Sequence, residues 1–261
     1  ATQQAQLTSW LDMTKRLNLN AVMLQVRPSA DTFWPSTLEP WSKYLTGTAG
    51  QDPGYDPLAF AVEQAHTRGL ALHAWFNPFR VSMNNDVSSL APNHPARQHP
   101  DWVVDYNGKL YYNPGIPEVR EFVTNVIMEA VTKYDIDGVH FDDYFYPYPG
   151  GGKPFDDADA FARYGQGYAS KADWRRANID AFMKGLHERI RQTRPGVVLG
   201  VAPFAVWRNA STDPLGSPTR GGVETYDDLY ADTRRWVREG WIDYIAPQIY
   251  WSRGHPLADY E

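Results

Sequence analysis

The stretch that decides the fold lies in the middle of the chain, where residues 135–147 read Asp-Ile-Asp-Gly-Val-His-Phe-Asp-Asp-Tyr-Phe-Tyr-Pro. Successive side chains of a β-strand point to opposite faces, so Val139 and Phe141 share one face. His140 and Asp142 share the other. Because the outer face of a strand in a parallel β/α fold meets apolar helices, we expect Val139 and Phe141 to point outward. A buried carboxylate is costly unless it is paired or functional, which makes Asp142 a candidate for chemistry.

Amphipathic helices and apolar strands alternate on both sides of this central segment. Helical spacing of apolar residues and terminal Asp, Gly and Pro signals predict helices at residues 3–18, 56–68, 118–134, 171–194 and 226–239. Alternating faces predict four further strands, at residues 20–28, 70–78, 197–203 and 243–251. The segment between the second strand and residue 117 includes Pro92, Pro95 and Pro100, and we expect a long functional loop there.

Five strands that alternate with helices indicate a parallel α/β architecture, either a doubly wound sheet or a (β/α)8 TIM barrel. A doubly wound nucleotide-binding sheet has a glycine-rich turn after its first strand, whereas here that strand runs into Arg27-Pro28-Ser29-Ala30. Four strands instead carry polar side chains on one face near the C-terminal end. These are Gln25 and Arg27, His73 and Asn77, His140 and Asp142, and Gln248 and Tyr250. Barrel enzymes build their sites at that rim, which favours the barrel.

The barrel is incomplete in this sequence. The chain starts with a helix and only ten residues follow Trp251, so the visible strands correspond to strands two to six. Strands one, seven and eight are absent, which would leave two sheet edges exposed. We therefore expect residues 1–261 to be a single barrel domain that is a fragment of a longer protein.

Composition narrows the class of protein. The chain has 261 residues, 43% hydrophobic and 21% charged, which suits one barrel-sized domain. Its net charge of -6 argues against a nucleic-acid partner. The absence of cysteine excludes disulfides and thiolate metal sites, and there is no signal peptide or apolar run of membrane length. Aromatic residues reach 14%, a level common where sugar rings are stacked and also in cores.

Several motifs together resemble a known family. They lie at residues 20–28, 54–57, 73–78, 112–115, 137–147 and 243–251, and the most specific are His-Phe-Asp-Asp-Tyr and the later Pro-Gln-Ile-Tyr-Trp. Over essentially the whole chain they resemble the glycosyl-hydrolase-like family 10 of bacterial cell-envelope proteins. The resemblance implies a (β/α)8 barrel, glycoside hydrolysis, and export to the cell envelope or periplasm. Some members act on peptidoglycan glycan strands stripped of their peptides.

Cleavage of a glycosidic bond needs a proton donor for the leaving oxygen and a group that stabilises the cationic ring. Asp142 is the first catalytic candidate because it ends the central strand on the inner face, and Asp143 is the second. Side chains of neighbouring strand residues diverge, so the two need not form an acid–nucleophile pair. The segment is also distantly similar to the chitinase pattern Asp-Gly-x-Asp-x-Asp-x-Glu. In this chain Tyr144 stands where that pattern has its catalytic Glu, so a chitinase mechanism does not follow.

Substrate binding is assigned to polar and aromatic residues at the strand ends. Arg27 is positioned to bind a substrate carboxylate, such as the lactyl group of a muramic acid, or to form a salt bridge with Asp142 or Asp143. The other candidates are Trp75, Asn77, His140, Tyr144, Trp207, Glu224, Gln248, Tyr250 and Trp251.

Three functional hypotheses remain open. The first is a glycoside hydrolase that cleaves a bacterial envelope polysaccharide, with peptidoglycan glycan strands as the expected substrate. The second is a catalytically silent polysaccharide-binding barrel that uses the same aromatic groove. The third is a metal-dependent carbohydrate deacetylase or hydrolase that uses His140 and Asp142. The seven histidines show no zinc-binding spacing, so no metal site or cofactor is expected, and the oligomeric state is left open.

Overall fold

The computed structural model describes residues 2–259 and contains two β-sheets. In chain order the strands are β1 (Ala21–Arg27), β2 (Ala71–Phe76), β3 (Arg80–Ser82), β4 (Val103–Tyr106), β5 (Lys109–Tyr112), β6 (Gly138–Phe141), β7 (Val198–Val201) and β8 (Tyr244–Ile245). The main sheet has five strands in the order β1-β2-β6-β7-β8, and every neighbouring pair in it is parallel. The five strands expected from the sequence are therefore the five strands of this sheet.

Helices connect the parallel strands. They are α1 (Thr2–Arg16), α2 (Lys43–Thr46), α3 (Pro57–His66), α4 (Pro95–Gln98), α5 (Pro117–Lys133), α6 (Ala158–Tyr164), α7 (Lys171–Thr193) and α8 (Thr233–Arg238). Four of the predicted helices, at residues 3–18, 56–68, 118–134 and 171–194, are confirmed as α1, α3, α5 and α7 within a few residues at each end.

Local chemistry explains where these helices begin and end. In α3 the side chain of Asp56 accepts a hydrogen bond from the amide of Ala59, and Pro57 occupies the first turn. This arrangement satisfies one of the free N–H groups at a helix start, where proline also costs nothing. After the helix, Gly69 has a φ of +66°, a conformation that glycine adopts without strain.

The side chains of the central strand, β6, point to the two faces of the sheet that the sequence predicts. Val139 and Phe141 are fully buried, and the Phe141 ring lies 5.7 Å from the Phe182 ring of α7. The outer face of β6 therefore packs against helices. His140 and Asp142 are left on the opposite, inner face of the sheet.

The expected long loop before residue 117 is the largest departure from the sequence analysis. Strands β3, β5 and β4 form a separate three-stranded antiparallel sheet there. Each strand has only three or four residues, which is too short for alternation to be recognised in the sequence. The turn between β4 and β5 contains Asn107 and Gly108, both with positive φ, and an Asn-Gly pair is a typical hairpin turn.

Two other predicted elements are much shorter than expected. The predicted helix at residues 226–239 is helical only in α8, which begins after the N-cap Asp232, and Tyr230 before it has a left-handed φ of +55°. The predicted strand at residues 243–251 is reduced to β8 and an isolated bridge between Gln248 and Phe204. Pro247 lacks the N–H that a continuous ladder needs, which accounts for the interruption.

The described residues form part of an α/β barrel. Strands β1 and β8 are the two outer strands of the main sheet within residues 2–259, and Met23 on β1 and Ile245 on β8 are partly exposed. All five strands are parallel, so their C-terminal ends lie at one edge of the sheet, where Asn77, Asp142 and Gln248 follow. Among residues 2–259 no helix combines the length and the apolar composition needed to cross a membrane.

Candidate active site

The site is built around Asp142, the residue that directly follows β6 at the C-terminal edge of the sheet. Its side chain is buried, with 6% of its surface exposed. The indole Nε1 of Trp75, at the end of the neighbouring β2, donates a hydrogen bond of 3.0 Å to Oδ2. The backbone N–H of Tyr144 donates one of 3.1 Å to Oδ1. Each carboxyl oxygen thus has one donor, which fixes the direction of the group.

Burial makes the Asp142 carboxyl a weaker acid than an ordinary aspartate. It raises the pKa of this carboxyl from 3.8 to about 6, and the negative charge of Asp143 acts in the same direction. The hydrogen bonds from Tyr144 and Trp75 and the positive charge of Arg80 lower the pKa but do not offset the burial. A carboxyl with a pKa near the working pH is suited to donating a proton to a leaving group.

Asp143 has a different environment from its neighbour. It is also buried, but its Oδ2 accepts a hydrogen bond from the hydroxyl of Tyr148, in the loop that follows β6. Burial and this carboxylate together raise the pKa of the Tyr148 hydroxyl. Because Asp142 and Asp143 are held by separate partners, their carboxyl groups have separate orientations.

Arg80 is a residue of this site that the sequence analysis missed. Its guanidinium lies 5.4 Å from the centre of the Tyr144 ring, and its Nε donates to the carbonyl of Pro28. It is the cation whose charge lowers the pKa of Asp142. Among residues 2–259 no carboxylate lies within salt-bridge distance of it. The only signal in the sequence is its position two residues beyond the predicted strand at residues 70–78.

Arg27 has a role other than the expected one. It is fully buried, and its Nε and Nη2 donate to Glu39 at 2.7 and 2.5 Å. Its Nη1 donates to the carbonyls of Asn77 and Pro78. The ion-pair partner is thus Glu39 rather than Asp142 or Asp143. A guanidinium without exposed surface is not placed to meet a substrate carboxylate, so the sequence-based assignment is corrected.

Two inner-face candidates lie below the site. The Asn77 side chain is fully buried, and its Oδ1 accepts a hydrogen bond from the amide of Arg80. It therefore shapes the turn that presents Arg80. His140 lies one layer under Asp142, where its ring meets Trp75 edge-on at 6.2 Å and its Nδ1 is hydrogen-bonded to the hydroxyl of Tyr244.

A row of partly exposed aromatic rings crosses the rim from the two carboxyls. We call Tyr144, Tyr148, Phe204 and Trp251 the aromatic row; successive ring centres lie 5.5, 6.3 and 6.3 Å apart. Gln248 supports the row, because its Nε2 donates to the carbonyl of Ala202 and its backbone bridges Phe204. Tyr144 and Trp251 were expected here from the sequence, whereas Tyr148 and Phe204 were not.

For three other candidates, no side-chain hydrogen bond, ion pair or ring contact within residues 2–259 joins the side chain to this row. Trp207 lines a separate cleft of about 560 Å³, where Arg234 lies 4.0 Å above its ring. Glu224 is buried inside a loop and accepts hydrogen bonds from the Asn209 amide and the Thr212 hydroxyl, so the structure assigns it to holding that loop. Tyr250 is 85% exposed, and its contact with sugar stays a prediction.

The described residues offer no ligand set for a metal ion. No group of three or more His, Asp or Glu side chains within residues 2–259 has an arrangement able to hold one. His140 and Asp142, the pair considered for metal-dependent chemistry, are instead bonded to Tyr244 and Trp75.

Comparisons with known proteins identify the family to which the chain belongs. The sequence profile of the family described as "Glycosyl hydrolase-like 10" matches residues 1–260. "Glycosyl hydrolase YngK" of Bacillus subtilis (strain 168) is 52% identical over 261 residues, covering 99% of this chain and 51% of that protein. "Glycosyl hydrolase DigH" of Escherichia coli (strain K12) is 46% identical over 268 residues, covering 99% of this chain and 61% of that protein. This chain therefore spans between half and two thirds of the length of these relatives.

A solved structure with the same kind of fold is the alpha-L-fucosidase isoenzyme 2 from Paenibacillus thiaminolyticus. It superposes with a TM-score of 0.51 over 79% of this chain and 30% of that chain, at 15% sequence identity. A likeness at this identity concerns the fold alone. The match of the family profile to residues 1–260 shows that the chain belongs to the glycosyl hydrolase-like 10 family, and its described residues form part of an α/β barrel.

Proposed function

We propose that this protein is a glycoside hydrolase in which Asp142 is the general acid. The observation that carries the proposal is the Asp142 carboxyl itself, buried at the C-terminal edge of a parallel sheet and held by Trp75 and Tyr144. Burial raises its pKa to about 6, so a proton is available for the leaving oxygen. Asp143 is the neighbouring carboxylate that adds negative charge near the developing cation.

The aromatic row is the proposed binding surface for the glycan. Partly exposed aromatic rings offer flat apolar faces to sugar rings, and the row begins at Tyr144, directly beside the two carboxyls. A chain of sugars lying along Tyr144, Tyr148, Phe204 and Trp251 would bring one glycosidic oxygen to Asp142. Four successive rings, although their planes are inclined to one another, suit a polymeric substrate better than a single sugar.

We infer that the substrate is a bacterial envelope glycan, namely peptidoglycan glycan strands, and that the protein acts in the envelope or periplasm. Family membership supports this inference, and Arg80 supports it structurally. Arg80 is a cation at the site without a carboxylate partner in the described residues, and it lies beside Tyr144 at the start of the aromatic row. A carboxylate on the glycan, such as a lactyl group, would complete a charge-assisted pair with it.

The Arg80 assignment leads to a substrate-dependent expectation. We expect Arg80→Gln to raise KM about tenfold for glycan strands that carry carboxylates, because one charge-assisted hydrogen bond is lost. KM for neutral chitin oligomers should stay within about twofold. Arg97→Gln is the matched control, because Arg97 is an exposed arginine of α4 whose side chain donates a hydrogen bond to the carbonyl of Leu90. Equal changes in KM for both substrates would remove Arg80 from carboxylate recognition.

The function is tested by measuring reducing ends released from peptidoglycan glycan strands stripped of their peptides, and from chitin oligomers. The full-length gene product should be used, because this chain spans only part of its relatives. We expect release from the glycan strands that is unaffected by a chelator. Wild-type protein that binds the strands but releases no reducing ends would support the binding-protein alternative. Activity that disappears with the chelator would support the metal-dependent one.

The pH dependence follows from the state of Asp142. A general acid must be protonated, and burial raises the pKa of Asp142 to about 6 in the protein without substrate, so we expect kcat/KM to fall as the pH rises through about 6. For an ordinary carboxyl the same fall would be centred near pH 4. Measuring kcat/KM from pH 4 to pH 8 locates this limb. A kcat/KM that rises through this range would assign Asp142 to a role that needs the carboxylate instead.

A further inference from the structure

Three rings form a hydrogen-bonded layer inside the sheet, directly beneath the candidate site. The hydroxyl of Tyr244, on the outer strand β8, lies 2.9 Å from Nδ1 of His73 on β2 and 2.8 Å from Nδ1 of His140 on β6. The Tyr244 ring stacks on the His140 ring with 16° between their planes. The layer thus links three strands, although β8 and β6 are not neighbours in the sheet.

Two glycines make room for this layer. A Cβ atom at Gly200 of β7 would lie 1.9 Å from the Tyr244 ring, and a Cβ atom at Gly138 of β6 would lie 2.7 Å from the His73 ring. Any other residue at either position would push the rings out of place. The backbone is therefore shaped around the two rings, and their contact is a built feature of the inner face.

The hydroxyl of Tyr244 requires His73 and His140 to carry their protons on different ring nitrogens. A phenol has one proton to donate, so Tyr244 donates to one imidazole Nδ1 and accepts from the Nδ1–H of the other. When both imidazoles are neutral, one carries its proton on Nδ1 and the other on Nε2. Burial lowers the pKa of His140 to about 4 and lowers that of His73, which keeps both neutral at moderate pH.

The layer is connected to Asp142 through one indole. The His140 ring packs edge-on against Trp75, with the planes at 88°, and Trp75 is the residue whose Nε1 donates to Asp142. His140 also lies two residues before Asp142 on the same inner face. If the His140 ring turned, the indole and its hydrogen bond to Asp142 would lose their support.

We propose that Tyr244 is a positioning residue, which acts through His140 and Trp75 to hold the Asp142 carboxyl in its working direction and to keep water from beneath it. The inference rests on the proposed function only for its effect on catalysis. The layer itself, and the properties of Asp142 that depend on it, can be measured in the protein without any substrate.

The first arm of the test examines the wild-type, full-length protein with ¹⁵N-labelled histidine. Long-range ¹⁵N–¹H NMR reports which nitrogen of each imidazole carries the proton. The titratable groups that act on the two rings are Asp137 on His73 and His73 on His140, and Asp137 is itself bonded to His66. At neutral pH we expect opposite tautomers for His73 and His140. Identical tautomers would overturn the proposal, and this result needs no variant.

The second arm replaces the hydroxyl. In Tyr244→Phe the Nδ1 atoms of His73 and His140 lose their shared partner, water enters to satisfy them, and the desolvation that raises the pKa of Asp142 is relieved. We expect the pKa of Asp142, followed by ¹³C NMR of the carboxyl group, to fall. We also expect kcat for glycan cleavage to fall about tenfold while KM changes little, because orientation is lost and not binding.

Tyr134→Phe is the matched control. Its hydroxyl is also partly buried and donates to a carboxylate, Oδ2 of Asp56, but at the start of α3 and away from the layer. It should leave the pKa of Asp142 and kcat unchanged. An unchanged pKa of Asp142 in a folded Tyr244→Phe protein would overturn the proposal. Wild-type protein that shows opposite tautomers but cleaves no glycan would refute the proposed function alone.

Discussion

We expect replacement of Asp142 by asparagine to lower kcat for glycan cleavage by at least about a hundredfold, the scale of one acid–base group, and to change substrate affinity little. Asparagine keeps the shape of the side chain but removes the proton that the leaving oxygen needs. Single-turnover and steady-state measurements on peptide-free glycan strands separate kcat from binding. A loss of affinity with unchanged kcat would make Asp142 a binding residue.

Two further substitutions calibrate that result. Asp143→Asn should lower kcat by less, because Asp143 is bonded to Tyr148 and acts on Asp142 through its charge. Asp105→Asn, at an exposed position of β4 where the carboxylate accepts from Asn85, should leave kcat unchanged. A larger loss in Asp143→Asn than in Asp142→Asn would exchange the roles of the two residues.

Asp142→Asn, which should lower the activity, should raise the stability of the folded protein. The folded pKa of Asp142, about 6, lies above its ordinary value of 3.8, so folding favours the protonated form. The contribution of Asp142 to the free energy of unfolding is therefore greatest below about pH 4, and this contribution is lost as the pH rises through about 6. Asn is uncharged but can accept only one of the two hydrogen bonds. We therefore expect Asp142→Asn to raise the free energy of unfolding at pH 7 by about 1 kcal/mol.

Breaking the buried ion pair of Arg27 and Glu39 has the largest expected effect on stability. Arg27→Met leaves the carboxylate of Glu39 buried without its partner and two loop carbonyls without a donor. We expect the free energy of unfolding to fall by about 3–5 kcal/mol, measured by denaturant titration. The pair joins the loops that follow β1 and β2, so the turn that presents Arg80 is affected as well.

A double variant separates the cost of leaving one charge buried and unpaired from the cost of losing the other contacts of Arg27. Arg27→Met combined with Glu39→Leu removes both charges, so we expect it to be more stable than Arg27→Met alone, although the two carbonyls still lack a donor. Lys184→Met is the matched control, because it breaks an ion pair in α7 whose side chains are both 54% exposed. It should cost less than about 0.5 kcal/mol. A comparable cost for Arg27→Met would mean that the buried pair is not stabilising the loops.

The parallel part of the fold follows closely from the sequence. Strand β6 is apolar on its outer face because Val139 and Phe141 meet helices, and long helices such as α5 and α7 have enough residues to show their period. The three-stranded sheet was missed because its strands are too short to show alternation. Residues 226–232 were wrongly predicted as helical because their composition is compatible with a helix, whereas their conformation depends on tertiary contacts.

The candidate site was only partly predictable, for a related reason. Position on a strand identifies side chains on the inner face, and Asp142, Trp75 and His140 were assigned in that way. It does not identify pairing between loops. Arg27 ends β1 on the expected face, yet its charge is neutralised by Glu39, a loop residue whose approach no local pattern indicates. Arg80 occupies the site instead, after a turn built on Asn77.

The most direct measurement of the central claim is a crystal structure of the full-length Asp142→Asn protein with an uncleaved oligosaccharide of peptidoglycan glycan. We expect the side chain at position 142 to lie within hydrogen-bond distance, roughly 2.6–3.2 Å, of a glycosidic oxygen. The sugar rings on one side of that oxygen should rest on the aromatic row, with the first of them at Tyr144. A glycan bound elsewhere, or one that presents only hydroxyl groups to position 142, would contradict the assignment of Asp142 as the acid.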